Sequence, residues 1–122
     1  MPLHRPFLRC AALALLVVVQ AASAAPQWCT GKAQRVLQDK DGTVHLYTSY
    51  RNDWTQICNS EVAWNGVTPS ICKSWLATAK AAVAAGLTVT VQYPEAPACH
   101  QLPAYGAAPG PSYIMLVTPG LE

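Results

Sequence analysis

Charge is scarce in this sequence: eight basic and six acidic residues are spread over 122 positions. A surface that tracks nucleic-acid phosphates needs clustered cations, and Lys32, Arg35, Lys40, Arg51, Lys73 and Lys80 stand singly, which argues against nucleic acid as a partner. Long apolar runs are missing as well. The run over residues 10–19 has about half of the roughly 20 residues a helix needs to cross a bilayer, so no membrane span is expected. There is no Gly-x-Ser-x-Gly, no His-Glu-x-x-His, no phosphate loop and no Cys-x-x-Cys, and His45 and His100 lack ligand spacing for zinc. Ser70-Ile71-Cys72-Lys73 matches the Ser-x-x-Lys of penicillin-recognising enzymes, but the companion motifs are absent and the chain is too short for that fold. Asp39 and Asp41 precede Gly42 in turn chemistry, where their carboxylates bond the local backbone. With no nucleophile beside a base, the reading is a non-enzyme without metal or cofactor.

What is present begins with an address. His4, Arg5 and Arg9 form a basic leader, residues 10–19 an apolar stretch, and Ala22-Ser23-Ala24 offers small residues to a signal peptidase. Cleavage is expected after Ala24, because cutting one residue later would place Pro26 just past the scissile bond. Cys10 precedes the apolar stretch instead of ending it, which does not fit a lipoprotein anchor. The mature protein is expected to be secreted or periplasmic. About 98 residues then remain as one domain (25–122), and without Arg5 and Arg9 six basic residues balance six acidic ones.

The best-marked element is a helix followed at once by a strand. Thr68 suits the N-cap and Pro69 the first helical position. Cys72, Trp75, Leu76, Ala79, Ala82 and Val83 recur at three- and four-residue spacing, and Gly86 suits a left-handed C-terminal cap. Residues 87–93 then alternate, with Leu87, Val89, Val91 and Tyr93 on one face. Before the helix, residues 32–38 and 43–50 read as a hairpin around residues 39–42, and 54–58 as a short third strand. After it, residues 94–112 carry five prolines and read as a surface loop, and residues 113–117 as a last strand buried on both sides.

Three strands, a helix and two strands in so short a chain fit a five-stranded OB-fold Greek-key barrel, with a generic α+β sandwich as the alternative. Four cysteines follow Ala24, and in an oxidising compartment they make two disulfides by one of three pairings. Cys58 with Cys72 would tie the end of a strand to the first helical turn. Cys29 with Cys99 follows from the barrel, in which the first strand pairs antiparallel with the fourth.

Several pieces together resemble the B subunits of bacterial AB5 toxins of the subtilase cytotoxin and typhoid toxin type. These are Thr30-Gly31 entering the first strand, Cys58 and Cys72 ahead of the helix, Trp64 in the connection, and an alanine-rich helix, glycine and Val-x-Val strand ending at Tyr93. The resemblance implies an OB barrel, a ring-shaped homopentamer and a glycan or glycoprotein receptor. The sugar pocket would lie beside the first strand, with Thr30 and Tyr93 holding the sugar. The acidic residue of that family before the first strand is replaced here by Pro26, Gln27 and Trp28, so sialic acid is not implied.

The residues themselves suggest another surface. His45, Tyr47 and Tyr50 share one side of the second strand with Trp54 nearby, and OB barrels bind ligands across strands two and three. The same stripe could instead close one end of a core. Tyr105 and Tyr113 are candidates for a rim or a subunit contact. The alternative function is a periplasmic structural or inhibitory domain that holds a protein partner through the proline-rich loop.

Overall fold

The computed structural model describes residues 2, 14–18 and 24–117. Five strands and one long helix follow in the order β1 (Ala25–Gln38), β2 (Thr43–Thr48), β3 (Trp54–Asn59), α1 (Pro69–Ala85), β4 (Thr88–Ala96) and β5 (Tyr113–Leu116), with a short 3-10 turn at Cys99–Gln101. The strands form one antiparallel sheet in the order β3-β2-β1-β4-β5. The expected mainly β architecture with a single helix between the third and fourth strands is therefore present. Most of the expected leader lies outside the described residues. Within it, Leu15, Leu16, Val17 and Val18 are exposed and add nothing to the core.

The first strand is twice as long as the expected residues 32–38, because it serves two partners. Its first half pairs with β4, from Ala25 opposite Ala96 to Lys32 opposite Thr88, and its second half pairs with β2, from Ala33 opposite Thr48 to Gln38 opposite Val44. Pro26 sits in an irregular stretch of the ladder, which is where a residue without an N–H is tolerated. Gly31 lies near the change of partner. A Cβ there would fall 2.5 Å from Ser49 Oγ, whereas the bare glycine lets that hydroxyl accept a 2.9 Å hydrogen bond from the Lys32 N–H. Strand β4 also outruns its expected end and continues through Pro94 to Ala96 in the same irregular stretch. Strand β2 stops two residues early, at Thr48, whose carbonyl accepts from the N–H groups of Arg51 and Asn52 as the chain turns.

Helix α1 starts and stops as its sequence demands. The Thr68 hydroxyl accepts from the Ile71 N–H, Pro69 occupies the first turn, and Gly86 closes the helix in the left-handed region at φ 64°. Cys72, Leu76, Ala79 and Ala82 face the sheet. Burying a leucine such as Leu76 is worth about 2 kcal/mol, while the small alanines let the helix lie close. In the same core Val44, Leu46, Ile57, Val89, Val91 and Tyr93 are fully buried, together with Leu102 from the loop after β4.

Both disulfides form in the expected pairing. Cys58–Cys72 joins β3 to the first turns of α1, and Cys29–Cys99 joins β1 to the 3-10 turn after β4. All four sulfurs that a zinc reading would need are thereby used.

The expected burial of the last strand is overturned. Strand β5 is not buried on both sides: it pairs with β4 alone, and Tyr113, Met115 and Leu116 remain 39%, 48% and 42% exposed. Only Ile114 packs against the core. An apolar strand at a sheet edge looks, in sequence, like an apolar strand at its centre; only the neighbour list tells them apart.

Candidate functional site

Strand β2 carries Val44, Leu46 and Thr48 into the core and turns His45 and Tyr47 to the opposite face. Cross-strand register then builds two rows on that face. Arg35, Tyr47 and Trp54 stand opposite one another, and so do Leu37, His45 and Gln56. In the first row the Arg35 guanidinium lies 5.2 Å from the centre of the Tyr47 ring, within cation–π range. The Trp54 ring meets Tyr47 edge to face at 5.5 Å and 78°. The Tyr47 hydroxyl donates to the Asn52 carbonyl at 3.0 Å, which holds the ring in place over the turn between β2 and β3. Tyr47 and Trp54 are partly exposed and Arg35 is exposed. The result is two fixed aromatic rings flanked by a cation.

The second row is covered. Tyr105 meets the His45 ring edge to face at 5.5 Å and 72°. It is held there by the free edge of β3, where its N–H donates to the Trp54 carbonyl at 2.7 Å and its carbonyl accepts from the Gln56 N–H at 3.1 Å. This parallel bridge puts Tyr105 at φ 51°, a left-handed conformation unusual for an aromatic residue. Arg51 fastens the same loop by donating from Nε to the Leu102 carbonyl at 2.6 Å.

His45 is buried, and among the described residues its Nδ1 has no hydrogen-bond partner. Burial lowers its pKa from the ordinary 6.5, and the negative charge of Asp39 only partly opposes this. A histidine held neutral in this way contributes stability that is present above pH 6.5 and lost as pH falls through the folded-state value. The contact between His45 and Tyr105 is therefore expected to loosen below pH 6.5. Corrected for the slower intrinsic exchange at lower pH, the protection factors of the Tyr105 and Gln56 amides should fall on acidification, and His45→Gln should flatten that response. Protection factors that do not change between pH 7 and 5 would refute the account.

Of the expected ligand residues, the structure brings His45, Tyr47 and Trp54 together and sets Thr30 and Tyr93 apart. Thr30 lies on the outer face of β1 and β4, sharing a 2.8 Å hydrogen bond with the Thr90 hydroxyl. Beside it the exposed Trp28 donates from Nε1 to the Tyr113 hydroxyl at 3.0 Å. Tyr93 points the other way, with no exposed surface, so in this structure it offers no face to a sugar. Strand alternation decides this, since Val89, Val91 and Tyr93 must all face the core if any of them does. Tyr50 is likewise not on the His45 side: its hydroxyl is buried near those of Tyr93 and Thr48, and among the described residues none of the three closes a well-formed hydrogen bond.

Compared with protein-family models, curated proteins and solved structures, the chain matches none of them. The residue that sequence reasoning missed on this face is Arg35. As one of six scattered cations it carries no signal, and only the register of β1 against β2 sets it over Tyr47.

Proposed function

We propose that the chain is an exported, non-catalytic binding module that holds a glycan or a glycan-bearing receptor on the face of β1, β2 and β3. The observation that carries this is the row Arg35, Tyr47, Trp54. Two partly exposed rings, fixed by each other and by Asn52, can cover the apolar face of a pyranose, and the neighbouring guanidinium can donate to its hydroxyl or carboxylate oxygens. No cofactor enters this reading.

The barrel form of the fold belongs to the same proposal. Support comes from β1 being shared between two ladders, from its antiparallel pairing with β4, and from the Tyr105 bridge on the outer edge of β3. A homo-oligomer, as the likeness to toxin B subunits implies, is supported by the edge of β5. Its half-exposed Met115 and Leu116 suit pairing with a second copy.

The test is a glycan array on the purified protein together with its mass in solution. A glycan hit should weaken about tenfold in Tyr47→Ala or Trp54→Ala, the scale of one lost aromatic contact, and less in Arg35→Ala. A blank array with a monomeric mass would sink both halves of the proposal.

A further inference from the structure

A cleft of about 340 Å³ lies between the start of α1, the turn around Asn65 and the residues that lead into β5. Its walls are rigid for identifiable reasons. Asn65 and Gly66, at φ 44° and 79°, form a tight turn closed by two backbone hydrogen bonds between Trp64 and Val67, at 3.0 and 2.8 Å. Gly110 packs against that turn so closely that a Cβ would fall 2.4 Å from the Asn65 carbonyl oxygen, and the Asn65 amide donates to the Ala108 carbonyl at 3.3 Å. On the opposite wall, Ile71 and Trp75 flank Cys72, which its disulfide ties to β3.

The chemistry of the lining narrows the occupant. None of the residues around the cleft is charged. Trp75, Ile71 and Pro94 supply apolar surface. Among the described residues, Ser112 Oγ, Asn65 Oδ1 and Trp75 Nε1 make no hydrogen bond, so each can still donate or accept. A ligand that matches has one apolar face, hydroxyls around its edge and no charge.

We propose that this cleft is a separate ligand site for a neutral pyranose, with the ring on Trp75 and its hydroxyls on Ser112 and Asn65. The proposal does not rest on the reading of the β1, β2 and β3 face, because the two places share no residue. The volume suits one or two sugar rings, and the preformed walls spare the ligand an ordering cost.

The experiment follows the indole N–H resonances of the isotope-labelled, oxidised protein. The titrants are glucose, galactose, mannose and N-acetylglucosamine, with N-acetylneuraminic acid and a proline-rich peptide as further arms. At least one neutral sugar should move the Trp75 resonance saturably in the millimolar range. Ser112→Ala should weaken that binding about fivefold, the scale of one lost hydrogen bond, and Ser112→Phe, which fills the cleft from an exposed position, should abolish it. Tyr47→Ala should leave it unchanged, which separates this site from the other face. The amide spectrum of β4 verifies that each variant is folded. The proposal is overturned if no neutral sugar moves Trp75, if the shift survives Ser112→Phe, or if only the anionic sugar or the peptide produces it.

Discussion

Replacing Cys29 and Cys99 together by alanine is expected to lower stability by about 4 kcal/mol, the chain-entropy value for a loop of this length. The bond spans 70 residues and joins β1 to the turn that follows β4. Without it, the unfolded chain regains the freedom of most of the domain. Cys58–Cys72 closes only 14 residues, and its removal should cost about 3 kcal/mol. Small domains are stable by roughly 5–15 kcal/mol in total, so losing the longer bridge should leave a protein that melts near physiological temperature or does not fold in reducing medium. Urea denaturation of the two double variants, compared at equal slope, measures both effects. If the 58–72 variant proves the weaker of the two, loop closure is not what these bonds contribute.

Tyr93 should separate a core role from a ligand role. Tyr93→Ala is expected to cost about 4 kcal/mol, because it empties a fully buried ring from the core. Tyr93→Phe should cost under about 1 kcal/mol, since the hydroxyl closes no well-formed hydrogen bond that could be lost. The pH dependence adds a second readout. Burial pushes the Tyr93 phenol up to about 12 and raises that of Tyr50 well above 10. For a group whose folded pKa is raised, the associated stability is fully present below the unfolded value near 10 and is lost as pH climbs through the folded value. Alkaline unfolding is therefore expected to set in between pH 10 and 12, and Tyr93→Phe should reduce its steepness without removing it, because Tyr50 remains. A Tyr93→Phe protein that is equally stable yet loses all glycan binding would contradict the core assignment.

Much of the architecture could be read in advance where the signal was local. The Thr68 cap, Pro69, the three- and four-residue apolar spacing and Gly86 each act within a turn or two of helix, so the neighbours that matter lie in the same segment. The alternation in β4 has the same character. Strand β1 was legible only in its second half. Pro26 and Gly31 interrupt the pattern before it, and the reasons they are tolerated, a ladder irregularity and the approach of Ser49, lie on other strands. The site was read less well for the same reason. His45, Tyr47 and Trp54 were found because two of them alternate along one strand and the third starts the next. Arg35 joins them only through register, and Trp75, Asn65 and Ser112 meet across three distant segments.

The amino-acid sequence alone determined what depends on near neighbours: the helix and its ends, the hairpin turns, and which face of β2 and β4 is apolar. Of the disulfide partners, Cys58 and Cys72 were suggested by their closeness along the chain, whereas Cys29 with Cys99 followed only through an assumed order of strands. Tertiary structure decided what depends on which strand lies beside which. It made β5 an exposed edge, directed Tyr93 and Tyr50 inward, set Arg35 over Tyr47 and opened a cleft beside Trp75. Periodicity specifies a side chain's direction relative to its own strand or helix, whereas burial depends on what stands opposite, and nothing local carries that information.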